Sequence, residues 1–313
     1  MVGSLKGVNI FVSGGTGVVG SRAVRLLVED GHRVSVLARS PSKGSALEDL
    51  GASPVYAGLF EPDKLGDAIP GHHAVVNLAT HIPRSFVKMG TPGAWSENDR
   101  IRREGSRNLV DAASNSGIEV YIQESITFGY PDCGDEWIDE TIEWSAASNL
   151  RSAQEAESQA ERFTNSGKKG IVLRFALFYA ADSSHTEDTA RMARRGIYPA
   201  VGRKDAYQSS IHADDAARAV VAALSAPAGT YNVGDDEPLT RRDAAEAISK
   251  VLGVGTLKIP PTWLAKLGGS KAATLARSQR VSNRKFKQAT GWSPKYLSLR
   301  EGWKEVAEQL TKA

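Results

Sequence analysis

The chain has 313 residues, 39 basic against 36 acidic side chains, a net charge of +3 and a single cysteine, Cys133. A balance this even, with no run of five or six like charges, excludes the electrostatic footprint of a nucleic-acid binder, and one thiol excludes an internal disulfide or a multi-cysteine metal site. With 41% hydrophobic and 24% charged residues, the sequence can bury one large α/β core or two unequal ones.

No charged-then-apolar leader is visible, and no apolar run reaches bilayer-spanning length, so a cytoplasmic protein without a membrane partner is expected. In chain order, β-branched runs predict strands at Val8–Ser13, Arg33–Ala38, Pro54–Ala57, Ala74–Ala79, Glu119–Glu124 and Gly170–Ala176. Amphipathic stretches between them predict helices at Val18–Asp30, Pro62–Ile69, within Ala94–Ser116 and at Ser152–Asn165. This alternation is the signature of βαβ units around a parallel sheet. The basic clusters Arg100-Ile101-Arg102-Arg103 and Arg191 to Arg195 read as solvated helix faces. Beyond Phe178 the pattern changes: Ala180–Gly202 reads as polar and loop-rich, Asp214–Leu224 as a helix and Thr230–Val233 as a short strand, with mostly helical sequence after Leu239.

The segment Ser13-Gly14-Gly15-Thr16-Gly17-Val18-Val19-Gly20 joins the first strand to the first helix. Glycine at 14 permits a sharp turn, at 17 a close approach of backbone to a pyrophosphate, and at 20 tight packing of helix on sheet. Placed in the first βαβ unit, the motif predicts a dinucleotide site. An NAD-binding protein usually ends its second strand with Asp or Glu for the ribose 2′-hydroxyl. Here the sequence is Leu37-Ala38-Arg39-Ser40-Pro41-Ser42-Lys43. Arg39 offers a planar fork of donors to a 2′-phosphate, assisted by Ser40, so NADP(H) is expected over NAD(H). A surface Arg39 stacked on adenine would accept either.

Further pieces carry a resemblance: Val75-Val76-Asn77-Leu78-Ala79, Arg107-Asn108-Leu109-Val110-Asp111-Ala112-Ala113, Val172-Leu173-Arg174-Phe175, Ile211-His212-Ala213-Asp214-Asp215-Ala216-Ala217 and Tyr231-Asn232-Val233-Gly234. With the glycine loop, they make the chain resemble an extended short-chain dehydrogenase/reductase of the NAD-dependent epimerase/dehydratase type. The resemblance implies a Rossmann doubly wound parallel sheet over residues 1–177 and 206–233. It also implies an interleaved, smaller and mostly helical substrate domain over 178–205 and 234–313. It sets Asn77, Leu78 and Ala79 beside the cofactor ribose. Where the family has an adenine-contacting Asp, this sequence has Gly58, leaving adenine to backbone and apolar contacts near Leu59.

One departure bears on mechanism. The family's proton donor is Tyr with Lys four residues later, and none of the eight tyrosines here has Lys at that spacing. Aligned on Ser152 and Glu157, Asn149 takes the Tyr position and Ala153 the Lys position. Losing a positioned acid costs about 10²–10⁴-fold in rate.

Replacement groups should stand at the carboxyl ends of the strands. After strand five come Glu124, Ser125 and Thr127: either hydroxyl would polarise a carbonyl, and Glu124 in a dry pocket would serve as an acid, or else stand in a salt bridge or helix cap. His81, beyond strand four, offers an imidazole suited to proton exchange, although a lone loop histidine is more often structural. His212 reads as structural, with Asp214 or Asp215 capping the next helix. Trp95, Trp137 and Trp144 flank this region, and Val254–Ala276 reads as a lid. The resemblance implies an atypical NADPH-dependent reductase of a carbonyl on a small organic molecule. A nucleotide-sugar epimerase or dehydratase and a non-catalytic NADP(H)-binding regulator are the rivals. Monomer and homodimer are both open.

Overall fold

A computed structural model describes residues 7–83, 86–89, 91, 93–144, 150–261, 263 and 273–312. Strands β1 (Asn9–Ser13), β2 (Arg33–Leu37), β3 (Ser53–Val55), β4 (Ala74–Asn77) and β5 (Val120–Ile126) join two later strands, Lys169–Phe175 and Gly229–Val233. They form one seven-stranded parallel sheet in the order Gly229–Val233, Lys169–Phe175, β5, β4, β1, β2, β3. Strand order reverses between β1 and β4, and in open sheets of this kind the carboxyl ends at such a reversal are where ligands bind.

Both faces of the sheet are covered, so its central strands are apolar on successive residues. Ile10 and Val12 join Val24, Leu27, Val36, Ile122, Leu173 and Val220 in one cluster, under helix α1 (Val18–Glu29) and the helix Ala213–Ala223. Phe11 points the other way, to Leu65, Val75, Leu109, Tyr121 and Phe163, under the helices Pro62–Ala68, Ser106–Asn115 and Arg151–Asn165. A third cluster, around Tyr179, Tyr198, Ile248, Leu257 and Trp303, holds together much of the chain after β5. Phe286 and Trp292, far down the chain, insert into the first cluster at the Gly229–Val233 edge of the sheet, beside Tyr231.

Two-stranded pairings fasten the later segments over the carboxyl end of the sheet. Trp137–Ile138 runs beside Arg280–Val281, Tyr207–Gln208 beside Leu239–Thr240, and Leu177–Tyr179 beside Ser210–His212. The stretch read as loop-rich over Ala180–Gly202 contains a helix, Ser184–Ala193. Its buried stripe is only Thr186, Ala190 and Ala193, too weakly apolar to print a helical period on the sequence. No helix among the described residues is long and apolar enough to cross a membrane.

Candidate functional site

The glycine loop closes the β1–α1 turn, and its glycines are required for different reasons. Gly14 sits at φ +79, and a Cβ there would lie 2.5 Å from the Leu78 backbone. A Cβ on Gly15 would lie 2.4 Å from Val36 Cγ1, and one on Gly20 2.1 Å from the Gly14 oxygen. Packing alone therefore demands these three. Gly17 differs: a Cβ there would meet its nearest neighbour at 3.4 Å, and its φ of −82 suits any residue. The space it leaves faces outward, at the start of α1, whose first turn has neither a side-chain cap nor an acid. The first amides of that helix, at Val18, Val19 and Gly20, are open to an anion there, with Thr16 alongside.

Arg39 follows β2 as an exposed side chain, and no carboxylate lies within ion-pair distance of it among the described residues. Ser40 caps the helix Pro41–Glu48, its Oγ accepting from the Lys43 amide at 3.4 Å. Gly58 donates its N–H to Glu61 Oε2 at 2.7 Å, and the Lys64 hydrogen bond, with that from Gly58, holds the Glu61 carboxyl below its ordinary range. The Leu59 carbonyl accepts from Asn108 Nδ2 at 2.9 Å, and its side chain packs on Gly105.

At the end of β4, the Asn77 side chain is turned inward. Its Oδ1 accepts from Ser13 Oγ at 2.6 Å, and its Nδ2 donates to Gln123 Oε1 at 2.9 Å and Ser106 Oγ at 3.2 Å. That side chain therefore ties three strands together, and Leu78 and Ala79 offer a ligand backbone. Their position is fixed by the Leu78 amide, which donates to Ser13 O, against the wall of the Gly14 turn.

A second network runs across the ends of β5 and its neighbours. Ser125, fully buried, donates to Glu157 Oε1 at 2.5 Å. Arg174 grips both oxygens of Glu157, at 2.9 and 2.7 Å, and donates to Tyr130 Oη at 2.8 Å; Tyr130 donates onward to Asn232. Burial opposes the Arg174 charge, but the Glu157 hydrogen bonds and charge outweigh it and raise its pKa. The Arg174 guanidinium also stacks 4.5 Å from the centre of the Trp144 ring.

Several expectations need correction. The Ser125 hydroxyl gives its one proton to Glu157, so it is not the free donor a carbonyl would need. Glu124 is not an isolated acid in apolar surroundings, because both its oxygens accept from Arg102 Nη2, at 3.1 and 3.2 Å. Arg102 itself, expected on a solvated face, is 4% exposed. The helix that carries it widens into a π-turn at Ile101–Gly105, and the basic cluster from which its exposure was read is divided there, with Arg100 and Arg103 outside and Arg102 inside. Thr127 is buried and its hydroxyl has no hydrogen-bond partner among the described residues. His81 is exposed, with its amide held by Asn98 Oδ1 at 3.0 Å. His212, not an aspartate, is the N-cap of the helix Ala213–Ala223, its Nδ1 accepting from the Asp214 amide at 3.3 Å.

Trp144 packs on Gly129 and Trp95 donates to Met89 O, while Trp137 is half exposed, its ring stacked by Arg280. Asn149 and part of the expected lid, residues 262 and 264–272, lie outside the described residues; Trp263 is exposed. Sequence reading missed Arg102, Glu157 and Tyr130 as members of buried networks. Only Arg174 and Glu157 were visible as landmarks, and nothing local pairs them.

Residues 14–227 match the family model described as NAD(P)H-binding. A 3-diazoavenalumate denitrifying reductase from Streptomyces is 27% identical over 307 residues, 94% of this chain and 98% of that protein. Among solved structures, human epimerase family protein SDR39U1 with NADPH superposes with a TM-score of 0.81 at 22% identity, over 96% of this chain and 100% of that one. The Thermus thermophilus UDP-glucose 4-epimerase with NAD gives 0.76 at 23% identity, over 97% and 99%. The last two share the fold.

Proposed function

Because the chain belongs to the NAD(P)H-binding family, we propose that it is an NADP(H)-dependent reductase whose small, electron-poor acceptor needs no proton from the protein. A diazo compound is the first acceptor class to expect. The loop fits the cofactor: Gly17 leaves open the space a pyrophosphate would take, beside the Thr16 side chain and the free amides of Val18, Val19 and Gly20. Arg39 and Ser40 would meet a 2′-phosphate, Leu59 the adenine, and the Leu78–Ala79 backbone the ribose. Bound there, reduced nicotinamide supplies a hydride.

The observation that carries the reading is that both candidate donors on β5 are engaged: Ser125 by Glu157 and Glu124 by Arg102. The Streptomyces relative is named for reducing a diazo compound with loss of nitrogen. In such a reaction, an aryl diazonium takes up hydride at carbon, and the C–N bond leaves its electron pair on dinitrogen. Arene and N₂ result, and no proton is transferred. The missing Tyr–Lys pair is then no handicap.

The test follows nicotinamide absorbance and evolved N₂ together, with 4-diazobenzoate against a ketone panel and no-enzyme controls. One N₂ per NADPH, with ketones much slower, is expected; no enzyme-dependent oxidation of NADPH overturns the proposal. R39A should weaken NADPH by about 10–100-fold, the value of a charge-assisted hydrogen bond, and leave NADH unchanged. A second reading, carbonyl reduction with water as proton source, draws on the unpartnered Thr127 hydroxyl. Ketone turnover lost in T127V would favour it.

A further inference from the structure

We propose that Arg102 is the anchor for an oxyanion on the acceptor, a carboxylate or phenolate borne by a small aromatic. The inference rests on the reductase reading for its purpose, but on separate residues.

Its place is fixed by strand register. Ser13, the last residue before the glycine turn, pairs with Asn77, and Asn77 pairs with Gln123. Glu124 is the next residue along β5. Two strand spacings of about 4.8 Å put it roughly 10 Å from the first glycine, on the same carboxyl edge. The helix bearing Arg102 is bound to that edge twice: Asn98 accepts from the His81 amide, and Ser106 Oγ from Asn77.

Two buried guanidiniums stand at this end, and they differ. Arg174 has Nε, Nη1 and Nη2 all engaged and an aromatic ring against its face. Arg102 uses a single nitrogen, Nη2, for both oxygens of Glu124, while its buried Nε–H has no partner. A guanidinium normally meets a carboxylate with two parallel N–H bonds. Holding it by one corner leaves a donor edge unused in a place where an unmade hydrogen bond is costly. A buried ion pair is poor evidence of added stability, since apolar residues of similar size often serve as well. A π-turn, itself rare and frequent at functional sites, delivers this one. The geometry is that of a cation steadied by Glu124, with Nε–H reserved for a second anion.

The probe is 4-nitrophenolate, a coloured aromatic oxyanion, titrated into the full chain with and without NADP⁺. Saturable binding is expected, with the phenol ionising more readily when bound, so that the visible absorbance rises. Benzoate should displace it if carboxylates share the site; failure to compete assigns the site to phenolates. The R102Q/E124Q double variant exchanges the ion pair for an amide pair, avoiding a stranded buried charge. It should weaken the probe by at least about tenfold, the scale of one charge-assisted bond, and leave NADP⁺ affinity unchanged. R102K, which keeps a cation for Glu124 but lacks the fork, should fall between.

A folded double variant that binds the probe like the wild type overturns the inference, as does a wild type that fails to bind it. Should the double variant not fold, R102K decides alone, by weakened or unchanged probe affinity. Failure of NADP⁺ to bind would overturn the reductase reading, while the titration without nucleotide still decides Arg102.

Discussion

Gly17 and Gly20 stand three residues apart in one loop, but only one of them is required by the folded chain itself. Ala at 20 would put a methyl 2.1 Å from the Gly14 oxygen, and G20A should cost about 1–3 kcal/mol in denaturant unfolding. G17A should leave stability within about 0.5 kcal/mol, while calorimetry shows at least about tenfold weaker nucleotide binding. Equal loss of stability in both would mean that the open space at 17 has no ligand. Asp235 gives a second test at this scale. Burial, opposed by the Ser210 hydrogen bond and assisted by Asp215, Asp236 and Glu301, lifts its carboxyl well above the ordinary range. A raised folded value means the unfolded chain loses the proton first, so its stabilising contribution is full at acid pH and declines as pH rises. D235N escapes that decline, and its melting midpoint should gain on the wild type as pH is raised above the ordinary aspartate value of about 4. The glycine loop was legible because its message is one of residue identity over eight positions. Glu157 and Ser125 were not paired from sequence, since they lie 32 residues apart and only folding brings them to 2.5 Å.

At the level of elements, the sequence reading located most of the main strands and helices because apolar alternation and helical period are strong in them. It failed where the period is disturbed or faint. The π-turn inserts an extra residue into the helix, and Arg102 passed for a surface cation. The helix Ser184–Ala193 was not separated from its loop-rich surroundings because alanines and one threonine make its buried stripe. The helices that commonly pair such chains show polar outer faces here: Gln154, Ser158, Glu161 and Arg162 on one, Arg103, Arg107 and Asp111 on the other. Arg162 and Asp111 are already joined across them at 2.7 Å. With no apolar patch on these two faces to bury, light scattering should return the monomer mass of 33.5 kDa. A dimeric mass would place the contact on another surface.

For the molecule as a whole, the doubly wound sheet fixes where chemistry can occur, and the later segments decide what reaches it. The paired strands that join residues 137–138 to 280–281 and 207–208 to 239–240 draw distant parts of the chain over one edge. That convergence is invisible to a reading by windows, because each partner is only two residues long. The nucleotide half is also not self-contained. Phe286 and Trp292 complete the apolar layer at the Gly229–Val233 edge of the sheet, where Phe286 meets the Tyr231 ring and Trp292 Nε1 donates to Asp215 O at 3.2 Å. During synthesis, the first strands emerge from the ribosome long before these two rings exist. The interior beneath that edge of the sheet must therefore stay unsealed until nearly all of the polypeptide has been made, which leaves the nascent chain dependent on whatever shelters exposed apolar surface in the cell.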